Sequence, residues 1–370
     1  MTTSFKKLLA AKLAAGTHPG NMYSGMAVVL VMLLMMVTSC RRFNDHDCND
    51  CDCLSKDYKQ TNLVADTAGF GAAHIDKNLI NAWGLAVGPT GAFWLSSAGA
   101  GVSVIYDKDG NTLRAPVIIP TDNVQNRAIP TGVVFNNTPG FGGARFIFAT
   151  INGTILSWKS GDTAVVKVIR DKEGSEYTGL TLASDSGKSY IYAADFSNGA
   201  IDVFDTAFNY VGYKQFHDPG LPADYAPFNI RNIDGLLYVL YAKQQLPERR
   251  FNQPGPGNGF VDVYKPDGSF VRRFASQGTL NSPWGITEGC SSFSGLGDDV
   301  ILIGNFGDGR INAYSKNGTF LGQLRKGNAP LKIDGLWALE SHVTGAGNKI
   351  FFTAGPNGES HGLFGYIQKN

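Results

Sequence analysis

The sequence predicts an all-β protein that folds as a six-bladed β-propeller with four antiparallel strands in each blade. The first reason is composition: 46 glycines in 370 residues and an aromatic content of 11% are typical of many short strands that are joined by tight turns and packed through rings. The second is a pair of sequence signatures that recur about every fifty residues. The third is that each repeat contains enough strands for one propeller blade.

The first signature is a short apolar strand that opens with a small or aromatic residue. Its six copies are residues 81–86, 130–134, 177–182, 227–230, 283–286 and 334–339. Five copies contain a glycine, at Gly84, Gly132, Gly179, Gly285 and Gly335, and the intervals between these glycines are 48, 47, 106 and 50 residues. The long interval spans two repeats, because the fourth copy lacks glycine. We expect these strands to be the innermost strands of the blades.

The second signature is an alternating strand that ends in an aromatic residue and is followed by a turn. The aromatic residues are Tyr106, Trp158, Phe204, Tyr264, Tyr314 and Tyr366. Alternation gives a strand one packed and one polar face, and the Asp-Gly and Asn-Gly pairs at 109–110, 267–268 and 317–318 predict hairpin turns. An apolar strand lies between the two signatures, and a fourth follows the turn, as in residues 269–274 and 319–324.

The last repeat ends at Gln368 after only three strands, while an unpaired strand candidate at residues 58–64 precedes the first repeat. We expect this N-terminal strand to complete the last blade, because such closure ties the two ends of the ring together and removes an exposed edge. Two β-sandwich domains are the alternative, but they do not explain a period that persists along the whole chain. The propeller is therefore expected to occupy residues 57–370.

The N-terminus has the pattern of an export signal. Three lysines precede an apolar run at residues 26–37, which is too short to span a membrane. Residues 37–40, Val-Thr-Ser-Cys, resemble the bacterial lipobox, and the resemblance implies that Cys40 carries lipid. We expect residues 1–39 to be a lipoprotein signal peptide and the mature protein to sit on the outer or cytoplasmic membrane, in the periplasm or at the cell surface. An ordinary secretory signal and an uncleaved anchor are the alternatives.

Residues 40–56 are rich in Asp and Asn and contain Cys48, Cys51 and Cys53. Such a polar stretch cannot bury enough apolar surface to fold alone, so it is predicted to be a tether. The cysteine spacing invites a zinc interpretation, but no second pair of ligands follows, and a local disulfide of undetermined pairing is favoured. Cys290 stands alone in the body of the chain and is expected to be a small core or loop residue.

Charge narrows the class of partner. The chain has 32 basic and 31 acidic residues, a formal charge of +1 and no basic run, so nucleic acid is not an expected partner. We expect a monomer that meets the membrane through its lipid and a glycan or a protein through its propeller.

The Trp-Gly pairs at 83–84 and 284–285 and the strands Ile-Asp-Val-Phe at 201–204 and Val-Asp-Val-Tyr at 261–264 resemble those of NHL-repeat and streptogramin-lyase-like six-bladed propellers. The blade order resembles more closely an uncharacterised family of secreted bacterial propellers. The resemblance covers residues 58–370 and implies the fold. It leaves the activity open, because propellers of this kind include hydrolases, lyases, peptide binders and scaffolds.

Ligand-binding candidates follow from the propeller, in which inner strands line a central channel. The predicted channel residues open inner strands: Asn81, Thr131, Tyr177, Asn229 and Asp334. The loops after the second strands contain a second group, Asp195, Asn305, Glu359 and His361, which we expect on the same face as the first.

Lactonase-like propellers hold a calcium-type ion with carboxylate and amide oxygens, and the resemblance implies such a divalent cation at Asp195, Asn229, Asn305 and Asp334. In the alternative interpretation these side chains satisfy turn backbones, as Asn and Asp at strand ends often do. His361, close to Glu359 in a glycine-rich loop, is a candidate general acid or base, or else an inert surface histidine.

One repeat is longer than the others, with an insertion at residues 243–259 that contains Arg249 and Arg250 and is predicted to be a loop on one rim. Two function classes remain. The first is a binding or scaffold module for a glycan, a protein or a small ligand. The alternative is a metal-assisted lactonase-like hydrolase or a streptogramin-lyase-like enzyme. Asp334 is the only acidic residue that opens an inner strand, which favours the binding module and leaves open whether the protein is an enzyme.

Overall fold

The computed structural model describes residues 57–369, except for Val124, Tyr213, residues 290–299 and His342. The predicted signal peptide, Cys40, the tether with its three cysteines and Cys290 lie outside the described residues. Among the described residues, no helix has the length and apolar character needed to cross a membrane.

Six antiparallel sheets form the blades of the propeller. The described chain begins with β1 (Tyr58–Ala65) and β2 (His74–Ile75). Blade 1 contains β3 (Ala82–Val87), β4 (Phe93–Ser97), β5 (Val102–Tyr106) and β6 (Val117–Ile118); blade 2 contains β7 (Pro130–Phe135), β8 (Phe146–Thr150), β9 (Thr154–Trp158) and β10 (Val165–Ile169); blade 3 contains β11 (Tyr177–Asp185), β12 (Lys188–Asp195) and β13 (Ala200–Phe204).

Blade 4 contains β14 (Tyr225–Ile233), β15 (Leu236–Lys243), β16 (Gly259–Tyr264) and β17 (Phe270–Ser276); blade 5 contains β18 (Pro283–Gly289), β19 (Val300–Asn305), β20 (Ile311–Ser315) and β21 (Phe320–Gln323). A hairpin of β22 (Arg325–Lys326) and β23 (Ala329–Pro330) leads to blade 6, which contains β24 (Leu336–Glu340), β25 (Lys349–Ala354) and β26 (Leu363–Lys369) together with β1 and β2. The inner strands neighbour one another in the order β3, β7, β11, β14, β18, β24 and back to β3, so the ring is closed. The six-bladed propeller predicted from the repeats is confirmed.

Closure of the ring by the N-terminal strand is also confirmed. Strand β1 runs antiparallel to β26, with Tyr58 opposite Lys369 and Ala65 opposite Leu363. Strand β2 then adds a short parallel pairing at Val64. The last blade is therefore assembled from both ends of the described chain, which leaves no open edge between the first and last blades.

Blade 3 departs from the predicted four strands. Among the described residues after β13, which do not include Tyr213, the sheet is extended by a bridge between Phe204 and Tyr210. The segment that follows contains Gly212, Pro219, Gly220 and Pro222. Glycine and proline disfavour a regular strand, because proline lacks the N–H donor and glycine has no side chain to pack.

The glycines of the first signature allow neighbouring inner strands to approach closely. A Cβ atom on Gly84 would lie 2.5 Å from the carbonyl oxygen of Thr131, and one on Gly179 would lie 2.0 Å from Oδ1 of Asn229. Gly335 has a different role from the other four: it precedes β24 in the left-handed region, with φ +64°.

The hydrophobic core lies between the blades, where each sheet packs against both neighbours. Between blades 1 and 2, the Trp94 ring stacks on Phe146 with centroids 4.0 Å apart. Between blades 1 and 6, Phe93 packs against Phe351 at 4.5 Å. Because both faces of a blade are covered, the middle strands are continuous apolar runs.

Candidate functional site

The inner strands divide the propeller into a front face, where they begin, and a rear face, where they end. In every blade a backbone N–H after the second strand donates to a carbonyl that precedes or opens the inner strand. The pairs are Ala98 to Asn81, Ile151 to Ile129, Phe196 to Glu176, Gln244 to Asp224, Phe306 to Ser282 and Gly355 to Gly335, at 2.7–3.0 Å. The structure therefore brings both predicted groups of site residues to the front face, except for Asn229, which lies in the middle of β14.

An aromatic plug fills the channel near the front face; it consists of Trp83, Phe228, Trp284, Phe306 and Trp337. The Trp337 ring stacks on Trp83 at 3.7 Å and on Phe306 at 3.9 Å, and Trp284 meets it edge-on at 5.6 Å. Trp337 is only 1% exposed. The residues that open the inner strands consequently surround packed rings and do not line an open channel mouth.

Thr131 and Asn229 connect adjacent inner strands. The Thr131 hydroxyl donates to the carbonyl oxygen of Tyr177 at 2.6 Å, and the Asn229 amide donates to that of Trp284 at 2.8 Å. The Tyr177 hydroxyl donates to Asp202 at 2.7 Å, and burial together with this carboxylate raises the pKa of Tyr177 well above its usual value. Thr131 and Asn229 thus link neighbouring blades, whereas the Tyr177 hydroxyl links β11 to β13 within blade 3.

The residues predicted as cation ligands accept hydrogen bonds from backbone amides of the front face. The donors are Glu176 for Asp195 at 3.0 Å, Ile230 for Asn229 at 2.8 Å, Asn281 for Asn305 at 3.2 Å and Asn357 for Asp334 at 2.8 Å. No hydrogen bond joins any two of the four ligands. The part of the chain that the structure describes has no group of three His, Cys, Asp or Glu residues placed to hold a metal ion. The observed contacts are those of the turn-satisfying alternative, and the cation site stays a prediction.

Asn81 and Glu359 are brought together at the front rim, although 278 residues separate them. The Asn81 amide donates to the Glu359 carboxylate at 2.7 Å, and the Trp337 indole donates to the Asn81 carbonyl at 3.0 Å. Burial raises the pKa of Glu359, and the hydrogen bond from Asn81 partly opposes that shift. Both residues have left-handed backbones, with φ +48° and +68°, a strained conformation that concentrates at functional sites.

His361 lies beside Glu359 and pairs with a carboxylate that sequence reasoning missed. Its Nδ1 atom is 2.8 Å from Oδ2 of Asp66, and its ring packs against Phe70 with centroids 5.4 Å apart. The His361 side chain is 33% exposed. Asp66 directly follows β1, so this contact depends on closure of the ring by the N-terminal strand. The front rim therefore holds an accessible imidazole that a carboxylate orients.

A cavity of about 550 Å³ occupies the rear half of the channel. All six inner strands contribute to its walls, with apolar side chains that include Val87, Phe135, Leu182 and Leu339. Trp284, a member of the aromatic plug, borders its inner end. The cavity is therefore blind at the plug and opens on the rear face.

One ion pair crosses the cavity. Nη2 of Arg231 in blade 4 lies 2.5 Å from Oε2 of Glu340 in blade 6. The Arg231 side chain is 34% exposed, whereas that of Glu340 is 8% exposed. The Glu340 carboxylate raises the pKa of Arg231. Among the described residues that line the cavity, these two are the only ionisable ones. Sequence reasoning missed the pair, although an arginine inside an inner strand was a visible signal.

The insertion between β15 and β16 folds onto the front face. Gln244 donates to the carbonyl oxygen of Phe196 at 2.6 Å, and Arg250 donates to Glu176 of blade 3 at 2.6 Å. Arg250 is thus already paired with a carboxylate of its own chain. Phe251 remains 65% exposed at the tip.

The fold and site define a six-bladed β-propeller with a plugged channel and a blind rear cavity. No family model matches the chain. It is 34% identical over 329 residues to the uncharacterized protein L690 of Acanthamoeba polyphaga mimivirus, covering 84% of this chain and 86% of that protein. It is also 34% identical over 318 residues to the uncharacterized protein R648 of the same virus, with 81% and 77% covered. The chain belongs to the same family as these two viral proteins.

Solved structures resemble the chain at the level of fold. The GH93 α-L-arabinofuranosidase of Fusarium graminearum, in complex with arabinobiose, has a TM-score of 0.55 at 9% identity and covers 85% of this chain and 98% of its own. A streptogramin B lyase has a TM-score of 0.49 at 14% identity, with 85% and 97% covered. At 9% identity, the likeness to the arabinofuranosidase shows the fold alone. The two relatives that establish the family are viral, so membership in a secreted bacterial family stays a prediction.

Proposed function

We propose that this protein is a binding module that takes a small ligand into the blind rear cavity. The observation that carries the proposal is a preformed concavity of about 550 Å³ whose described lining contains one ion pair. Ligand sites are commonly cavities of roughly 300–1,000 Å³ with apolar walls and a few convergent polar groups. The cavity has this character, and its shape is set by the ring of inner strands.

Rigidity of the walls supports binding. Thr131 and Asn229 link neighbouring inner strands, and Gly84 and Gly179 allow those strands to pack closely. A preformed site does not have to be ordered when the ligand arrives, so more of the contact energy appears as affinity.

The proposal also includes export and attachment to a membrane through lipid on Cys40, as the lipobox resemblance implies. Tyr58 opens β1 opposite Lys369. Because β26 ends at the face where the inner strands end, Tyr58 lies at the rear face, the same face on which the cavity opens. A membrane-attached propeller would then sample ligands close to that surface.

The experiment is a thermal-shift screen of the propeller against neutral, acidic and basic small molecules, since a ligand that binds only the native state raises its melting temperature. Leu182→Trp replaces an aliphatic side chain of the cavity wall with a bulky indole ring. Val271→Trp adds the same ring at an outer strand, where Val271 is 41% exposed, and is the matched control. We expect a ligand that stabilises the wild type and the control but not Leu182→Trp. Equal stabilisation of all three proteins, or no ligand at all, would contradict the proposal.

A metal-assisted hydrolase or lyase at the front rim is the second candidate. The pairing of His361 with Asp66, beside the buried carboxylate of Glu359, favours it. A saturable rise in melting temperature with calcium, magnesium, manganese or zinc that Asp334→Ala or Asn229→Ala abolishes would support this candidate. Absence of a shift with every ion would contradict it.

A further inference from the structure

We infer that the ligand of the rear cavity is a neutral, polyhydroxylated ring of the carbohydrate class rather than an anion or a cation. The inference rests on the proposed function, namely that the cavity binds a small molecule. It adds the chemical class of that molecule, argued from the charge, the exposure and the amphipathic character of the lining.

Charge excludes the two ionic classes. The only ionisable residues among the described lining are Arg231 and Glu340, and their charges cancel. An anion drawn to the guanidinium would meet the Glu340 carboxylate that already binds it, and a cation drawn to Glu340 would meet Arg231. Like charges in such close contact repel strongly in a poorly solvated site. Nearby Glu288 does not line the cavity and is paired with Lys316 at 3.0 Å.

Exposure decides which polar group the ligand meets. The Arg231 side chain is 34% exposed, and that of Glu340 is 8% exposed, so the cavity presents mainly guanidinium N–H donors. A guanidinium carries five such donors in a fixed fork, and the bond from Nη2 to Glu340 fixes its orientation. The complementary ligand must offer oxygen acceptors without net charge, which hydroxyl and ring oxygens provide.

The remaining lining is amphipathic. Its apolar part includes Val133, Leu180, Leu182, Ile230 and Ile286. Its hydroxyl and amide groups, nearer the rear mouth, belong to Asn137, Thr138, Ser184, Ser189 and Asn232. A sugar ring has an apolar C–H face and a hydroxylated edge, so it can contact both parts at once. A purely apolar ligand would leave the guanidinium donors without acceptors, which is costly.

The test is calorimetric titration with matched sugars that share a ring and differ in charge: glucose, glucuronate and glucosamine, and the corresponding galactose and mannose series. In a series that binds, we expect the neutral sugar to bind at least about tenfold more tightly than its charged relatives. Arg231→Lys keeps the charge but loses the fork, so it should weaken neutral-sugar binding about tenfold. Leu182→Trp should abolish binding, and Val271→Trp should leave it unchanged. A melting curve for each variant checks that it is folded.

The outcomes separate this inference from the proposed function. A uronate or an amino sugar that binds more tightly than its neutral relative overturns the inference. So does a non-carbohydrate molecule from the thermal-shift screen, if Leu182→Trp abolishes its binding. In both cases the cavity still binds a small molecule. Binding of a neutral sugar that Leu182→Trp does not affect overturns both proposals, because the site then lies elsewhere. Absence of binding by every sugar and every screened molecule also overturns both.

Discussion

Replacing Trp337 by alanine removes the central ring of the aromatic plug. This ring stacks on Trp83 at 3.7 Å and on Phe306 at 3.9 Å, and its indole N–H donates to Oδ1 of Asn81 at 3.0 Å. The side chain is 1% exposed, so water does not replace the contacts that are lost.

The expected loss can be estimated from these contacts. Truncation of a buried Trp to Ala typically lowers the free energy of unfolding by about 3–5 kcal/mol, through lost transfer energy and the cavity left behind. Within that loss, each stacked aromatic pair accounts for about 1 kcal/mol. We therefore expect Trp337→Ala to lower the free energy of unfolding by about 4 kcal/mol. Trp337→Phe keeps an aromatic ring but leaves Oδ1 of Asn81 without the indole donor, so its loss should be about 1–2 kcal/mol.

The assay is urea unfolding followed by far-ultraviolet circular dichroism, which does not depend on tryptophan fluorescence. Phe251→Ala is the control, because that ring is 65% exposed and its removal should change the free energy of unfolding by no more than about 0.5 kcal/mol. A loss below about 1 kcal/mol for Trp337→Ala would refute the reasoning, because the ring could then not be packed at the centre of the plug. Equal losses for the Ala and Phe variants would also refute it.

Three further predictions address the inner ring, the front rim and the N-terminus. Gly179→Ala should lower the free energy of unfolding by about 1–3 kcal/mol, because the new Cβ would lie 2.0 Å from Oδ1 of Asn229; unchanged urea unfolding would contradict this. The raised pKa of Glu359 means that its stabilising contribution is present below the unfolded-state pKa and is lost as pH rises through the folded-state pKa. Glu359→Gln, which can still accept from Asn81, should therefore gain melting temperature relative to the wild type as the pH rises above the ordinary pKa of glutamate, and a flat or falling difference would count against it. Cys40→Ser should abolish incorporation of an alkyne-labelled fatty acid during expression in a bacterium; labelling that persists would refute lipidation at this residue.

The blades could be predicted because their causes are local. Strand alternation and turn pairs act within ten residues, and a repeat that recurs six times makes the ring the only arrangement that buries every sheet on both faces. Closure by the N-terminal strand followed from counting strands, since one was missing at the end and one was unpaired at the start. The described part of blade 3 has three strands, and the repeat alone does not predict this, because the prolines and glycines after Tyr210 interrupt the pattern that the other repeats follow.

The candidate site was predicted only in part. Grouping of Asn81 with Glu359 on one face followed from topology and is seen in the structure. The aromatic plug was not foreseen: Trp337 and its neighbours marked strand starts, but a sequence does not show whether their rings fill the channel or leave it open. Arg231 and Glu340 are 109 residues apart in the sequence. Their contact depends on the diameter of the ring and on the rotamers of both side chains, which no local sequence pattern encodes.

The pairing of β1 with β26 determines when the propeller can become fully folded. Tyr58 pairs with Lys369, a separation of 311 positions, so this contact closes one of the longest loops the chain can form. It cannot form until β26 has been synthesised, after the inner strands of all six blades. Until then the growing chain is an open arc of blades, and the seven residues of β26 supply the strand that turns the arc into a ring. The ring therefore closes last, after the strands of the first five blades have been made, and the first blade lacks one of its two packing partners until then.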